Sequence, residues 1–271
     1  MTTRYSISPR EYAAMNTAQL RENFLLEELF SPGMLQLVYT HYDRIIVGSA
    51  VPSAGEIALA EKKLGAEFFL ERRELGVINI GGNGKITVDG KEYTLENRGC
   101  LYIGRGARDI VFTSNDSKNP AQFYLNSAPA HRHYPTVHIP QNRAIRTALG
   151  TKDQCNERVI FKYILPGNAK SCQLVMGLTT LAAGSVWNTM PCHTHECRAE
   201  AYLYFDIAPE QRIFHLMGYE NETRHLVIGD RQGVLSPPWS IHSGVGTQCY
   251  SFIWGMCGEN QDFDDMQAFN F

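Results

Sequence analysis

Pro191-Cys192-His193-Thr194-His195-Glu196-Cys197-Arg198-Ala199-Glu200 is the stretch that decides how this chain is read. Side chains along a strand alternate faces, so His193 and His195 point the same way. A carboxylate follows at Glu200. A third histidine, His242, arrives about forty residues later within Pro237-Pro238-Trp239-Ser240-Ile241-His242-Ser243-Gly244. Imidazole nitrogens with one carboxylate oxygen suit a divalent ion of borderline hardness, such as Zn, Fe, Mn or Ni. The pattern therefore predicts a metal site carried on β-strands.

Spacing alone leaves the fourth ligand open. Strict alternation gives Glu200 the opposite parity to the two histidines, whereas Cys197 shares their parity and is itself a good zinc ligand. Either the strand breaks or bulges between Glu196 and Ala199, turning Glu200 inward, or Cys197 takes the position. A lone pair of alternate histidines would favour exposed strand residues beside an ordinary ion-pairing glutamate. The later histidine beyond a proline-rich turn favours the metal.

Working outward, the composition narrows the class. The 271 residues carry a formal charge of −3 and 44% hydrophobic residues, which is ordinary for a globular protein of one or two domains. No Lys/Arg stripe is present, which argues against nucleic acid. The first residues, Met1-Thr2-Thr3-Arg4-Tyr5-Ser6, show no apolar core of a signal peptide. No apolar run is long enough for a membrane span. Seven scattered cysteines read as reduced thiols, so a cytoplasmic location is expected.

The chain is strand-rich twice. Residues 1–30 are expected to be partly helical, with Asn16 as a cap before Leu20, Phe24 and Leu25. Lys85-Ile86-Thr87-Val88, Asp89-Gly90 and Lys91-Glu92-Tyr93-Thr94-Leu95 read as a hairpin with a two-residue turn. Gly81-Gly82-Asn83-Gly84 precedes no helical pattern, so it reads as a loop rather than a phosphate cradle. Pro129, Pro135 and Pro140 mark a stretch of weak periodicity, in which His131 and His133 read as a surface pair. The two strand-rich parts align: Glu67, Phe69 and Glu74 fall on His193, His195 and Glu200, and Arg108 falls on His242. The expected organisation is an N-terminal half over 1–126, including the helical segment 1–30, that lacks metal ligands. A linker over 127–157 and a metal-binding half over 158–271 follow.

His-x-His-x4-Glu with a later His resembles the cupin pattern. Longer stretches resemble the 5-keto-4-deoxyuronate isomerase family of that superfamily. They are Asp43-Arg44-Ile45-Ile46-Val47-Gly48, Phe69 to Gly82, Trp187 to Glu196, Trp239 to Thr247 and Phe252-Ile253-Trp254-Gly255-Met256. The resemblance implies an all-β fold of two cupin-type barrels in tandem with a few short helices. It also implies one Zn2+ per subunit, with Fe, Mn and Ni also suited, held by His193, His195, Glu200 and His242. Cys197 is not a ligand in the family, so the resemblance favours Glu200. It further implies a homo-hexamer, a small deoxy-keto-uronate as substrate, and no nucleic-acid or membrane partner.

The reaction so implied converts 5-dehydro-4-deoxy-D-glucuronate to 3-deoxy-D-glycero-2,5-hexodiulosonate, in the breakdown of pectin and related polyuronides. A C2 proton leaves, a metal-stabilised enediol(ate) forms, and a proton returns to C1. Glu196, beside the ligands, is the expected base. Arg198, Arg224 and Lys162 are the expected partners of the substrate carboxylate, with Tyr202 and Tyr204 lining the cavity. Trp187, Trp239 and Trp254 are expected around the barrel mouth. Two rivals use the same scaffold: an Fe-dependent cupin dioxygenase and a non-catalytic uronate-binding cupin.

Overall fold

Alternating Val, Ile, Tyr and Thr make strands of about half the chain. The computed structural model describes all residues except 62, 220, 260–261, 263–264 and 270–271. The chain divides into two compact units. Unit 1 comprises Met1–Arg4, Leu29–Ala144 and Tyr163–Val175; unit 2 comprises Tyr5–Glu28, Ile145–Lys162 and Met176–Phe271.

Unit 1 holds a seven-stranded sheet in the order Thr2–Arg4, Leu35–Thr40, Ile46–Ala50, Phe123–Pro129, Arg73–Asn79, Cys100–Ile103, Val137–Ile139. Its smaller sheet has four strands: Ile57–Ala58, Ile110–Ser114, Gly84–Val88, Lys91–Leu95. Residues of alternate parity from both sheets fill the core, among them Val77, Ile86, Leu101, Phe112, Phe123 and Leu125. Each such side chain withdrawn from water contributes about 2 kcal/mol before entropy is counted. The expected hairpin is present. Asp89 and Gly90 have φ of 48° and 82°, the two positive values that a type I′ turn needs.

Unit 2 repeats the design. Its seven-stranded sheet runs Ile145–Leu149, Arg158–Ile164, Leu174–Leu181, Ser251–Gly258, Arg198–Phe205, Gln232–Ser236, Leu25–Leu26. Its five-stranded sheet runs Glu222–Ile228, Ile213–Tyr219, Ile241–Gly246, Trp187–Thr194, Gln267–Ala268. The two larger sheets correspond in strand order except at one edge, where Thr2–Arg4 runs parallel to Leu35–Thr40 but Ile145–Leu149 runs antiparallel to Arg158–Ile164, and Arg73–Asn79 takes the place of Arg198–Phe205. The sequence alignment needs one adjustment. Counted back from the last pairs Val88–Lys91 and Tyr219–Glu222, Met217 opposite His242 matches Ile86 opposite Phe112. The core residue Phe112, not Arg108, therefore stands where His242 does. Arg108 lies over the Phe68 ring, 4.4 Å from its centroid.

Two parts of the expected domain organisation are corrected. The helical segment belongs to unit 2, not to the N-terminal half. Helix α1 (Pro9–Ala14) is closed by a capping box of Ser8 with Glu11, and α2 (Thr17–Phe24) by one of Asn16 with Gln19. Their apolar side chains seek aromatic surface rather than chain neighbours. Tyr12 packs edge-on to Trp239 with centroids 5.2 Å apart, and its hydroxyl donates to the Met217 carbonyl at 3.1 Å. The stretch 127–157 is no free linker. Val137–Ile139 pairs with Cys100–Ile103 in unit 1, and Ile145–Leu149 pairs with Arg158–Ile164 in unit 2. These are short edge strands with much exposed surface, so they lack the apolar periodicity that marks a central strand. His131 and His133 are exposed, as expected.

Candidate metal centre

The strand Trp187–Thr194 pairs with Ile241–Gly246, and a register shift between Asn188 and His193 sets His193 directly opposite His242. The chain leaves this strand after Thr194 and turns through Glu196 and Cys197. It then enters the strand Arg198–Phe205 of the larger sheet. Glu200 therefore faces the histidines from the opposite sheet, and strand parity does not apply across the turn. Of the two arrangements that spacing allows, the structure has the break. Cys197 is exposed.

Four donor atoms converge. His242 Nε2 lies 3.0 Å from His193 Nε2 and 3.0 Å from Glu200 Oε2. His195 Nε2 lies 3.7 Å from Glu200 Oε2, and donor nitrogens of the three histidines all fall within 4.8 Å of one another. Ligands each about 2.1 Å from one ion stand roughly 3.0 to 3.4 Å apart for angles between a right angle and the tetrahedral value. The two 3.0 Å spacings at His242 lie within that range, and the 3.7 Å spacing at His195 is wider. The far side of two rings is occupied: His195 Nδ1 is 3.1 Å from Asp265 Oδ1, and His242 Nδ1 is 3.4 Å from Ser236 Oγ. Such partners fix the tautomer and aim Nε2 inward.

Electrostatics agree. All four side chains are buried. Burial pulls His193 and His242 below the usual imidazole range and His195 down to about 4, so the rings stay neutral with bare lone pairs. Burial pushes Glu200 up to about 8, with the Arg198 charge working the other way. Neutral imidazoles around a desolvated carboxyl form a donor set that a divalent cation would satisfy.

A cavity of about 360 Å³ opens beside the donors, within the range of small-molecule sites. His193, His195, Glu200 and Tyr202 form its polar floor, and Ile160, Phe252, Trp254, Met256 and Met266 form much of its wall. Burial and the neighbouring Glu200 charge hold the Tyr202 hydroxyl protonated, well above its usual range. Tyr204 lies outside the lining, its hydroxyl 2.8 Å from His215 Nδ1. Of the three tryptophans only Trp254 lines the cavity; Trp239 packs on α1.

The expected base and carboxylate partners are placed elsewhere. Glu196 is exposed on the turn and does not line the cavity. Arg198 is buried behind the histidines, where it donates to the Asp262 carbonyl at 2.7 Å and to Asp265 Oδ1. Arg224 donates to the Ala13 and Met15 carbonyls and to Glu222, holding α1. Lys162 lies outside the lining, farther along its strand than Ile160. Sequence reasoning missed Arg158, which does line the cavity, because it sits next to the stretch that read as linker. It also missed Asp265, which lies in a polar tail with no motif.

A pair of sheets carried twice, with three imidazoles and a carboxylate gathered inside one of the two units, defines a tandem cupin. The chain belongs to the KduI/IolB family, whose model matches residues 25–270. Among its relatives is a protein of Lachnoclostridium phytofermentans, 56% identical over 269 residues, covering 99% of this chain and 98% of the relative. Another, from Halalkalibacterium halodurans, is 53% identical over 268 residues, covering 98% and 97%. Both bear the name 4-deoxy-L-threo-5-hexosulose-uronate ketol-isomerase. Among solved structures, an IolB-like protein from Salmonella typhimurium superposes with a TM-score of 0.74 at 13% identity, covering 91% of this chain and 97% of that one. Bacillus subtilis oxalate decarboxylase, a protein with Mn(II) centres, superposes with a TM-score of 0.58 at 8% identity, covering 83% and 71%. At such identities the two structures support the fold alone.

Proposed function

We propose that this isomerase is a metal-dependent aldose-ketose isomerase acting on a deoxy-keto-uronate. It converts 5-dehydro-4-deoxy-D-glucuronate to 3-deoxy-D-glycero-2,5-hexodiulosonate in the breakdown of pectin and related polyuronides. The names of relatives 49–56% identical support the substrate class. The observation that carries the metal dependence is the convergence of His193, His195, His242 and Glu200 on one point at the cavity floor.

The same four residues would hold the ion, with Zn2+ the first choice and Fe, Mn and Ni also suited to nitrogen and oxygen donors. A bound divalent ion supplies Lewis-acid stabilisation of the charge that develops on the substrate oxygens, worth several kcal/mol. The protein does the rest. The apolar walls exclude water from the reacting carbons. Tyr202 lines the cavity with Glu200 and presents a protonated hydroxyl there. Overall, a proton leaves C2 and one returns to C1 by way of an enediol(ate). Glu196 does not serve as the base in this reading, because its exposed side chain is outside the cavity. A cytoplasmic location fits the seven free cysteines.

The test is direct. Purified protein is incubated with the deoxy-keto-uronate, with and without a chelator, and the carbonyl shift is followed by NMR. Isomerisation that stops on chelation and resumes when metal is restored is the expected result. Undiminished turnover in protein shown to be metal-free would overturn the metal dependence.

A further inference from the structure

We propose that Arg158 binds the carboxylate of the substrate and thereby sets which end of the sugar acid meets the donor cluster. The proposal rests on the reading of the site as a uronate isomerase. Arg158 is the only cationic side chain among the described lining residues other than the histidines of the donor cluster. It is half-buried, and its neighbours in the lining, Leu149, Ile160 and Trp254, are apolar. Its Nη1 donates to the Asn156 carbonyl at 2.9 Å, which anchors one terminal nitrogen and leaves the Nε/Nη2 edge of the guanidinium for a ligand. Among the described residues it has no ion pair with a carboxylate. Glu157, the adjacent residue, precedes the strand and does not line the cavity. Burial pulls Arg158 below its usual range, and the opposing influence is the Tyr250 hydroxyl rather than an acid.

A guanidinium held in an apolar wall with no acid beside it is an electrostatic vacancy for an anion. The planar fork of arginine matches a carboxylate with two parallel hydrogen bonds. Distance fits as well. The Arg158–Ile164 strand stands three places from Arg198–Phe205 in the same sheet. At about 4.8 Å per strand that is roughly 14 Å between backbones. The long arginine side chain covers part of this interval. An extended six-carbon chain, with bonds near 1.5 Å, covers about 6 to 7 Å more. The carboxylate at C6 then rests on Arg158 while C1 and C2 lie over the donor cluster.

The experiment compares metal-loaded wild type, Arg158→Gln and Arg158→Lys with the deoxy-keto-uronate and with its C6 amide. Melting temperature and metal content serve as folding controls. Wild type is expected to prefer the acid. In Arg158→Gln, KM for the acid rises roughly 10- to 100-fold, the range for charge-assisted hydrogen bonds, with a smaller change in kcat. The preference for acid over amide collapses to near unity, and lysine restores it in part. Wild-type KM and undiminished acid preference in Arg158→Gln overturn the proposal, as does a wild type that treats acid and amide alike. If Arg158→Gln does not fold, the lysine variant and the wild-type acid-to-amide ratio decide. Calorimetric binding of the two compounds reads carboxylate preference without turnover. A wild type that binds the acid over the amide but does not isomerise it refutes the isomerase reading and leaves Arg158 supported.

Discussion

At the scale of single residues, the donor cluster is held from behind. Asp265 Oδ1 touches His195 Nδ1 at 3.1 Å and also accepts from the buried Arg198 guanidinium. One carboxylate thus orients a ring and balances a charge that has left water. Asp265→Asn keeps the shape but weakens both functions. It is expected to lower metal affinity about 10- to 100-fold, as other changes behind metal ligands do. Titration against a competing chelator reads the affinity, and turnover should recover when metal is added in excess. Unchanged affinity would remove Asp265 from the account.

At the scale of elements, the repeat shows one position put to two uses. Glu200 in unit 2 faces the histidines, while its counterpart in unit 1, Glu74, clasps backbone. Glu74 Oε1 accepts from the N–H groups of Gln173 and Leu174 at 2.7 and 2.8 Å. Its Oε2 accepts from the Cys172 N–H at 2.7 Å and from the Tyr102 hydroxyl at 2.8 Å. With four donors on one buried carboxylate, the neutral amide of Glu74→Gln would turn an N–H2 toward them. The cost is expected to be about 3 kcal/mol, from a lost charged hydrogen bond and an unmet buried donor. An earlier urea transition, with the metal content of the folded protein unchanged, is the result to look for. A transition at the wild-type midpoint would mean that this clasp adds nothing to stability.

At the scale of the whole molecule, the two units divide the labour. In unit 1 Phe112 of the core stands where His242 does, with Ile57 opposite it, and the sequence matches of the other donors are Glu67, which is exposed, Phe69, which is core, and the clasped Glu74. That set offers no converging nitrogens. Elemental analysis is therefore expected to return one metal ion per chain, and His242→Ala to return none. With the homo-hexamer that the family resemblance implies, light scattering should give six times the 30.5 kDa chain mass, carrying six ions. Two ions per chain would contradict the assignment of unit 1.

The sequence by itself determined the donor types, the all-β character, the duplication, the Asp89-Gly90 hairpin and the Asn16 cap. These are written in local signals: alternation, turn chemistry and capping pairs separated by a few residues. The tertiary structure alone decided that Glu200 approaches from the opposite sheet, that Glu196 stays outside, that Asp265 backs His195, and that Arg158 reaches the cavity. Each depends on strand order and register between segments tens of residues apart, and the energy that sets them is packing across two sheets rather than anything in the local pattern.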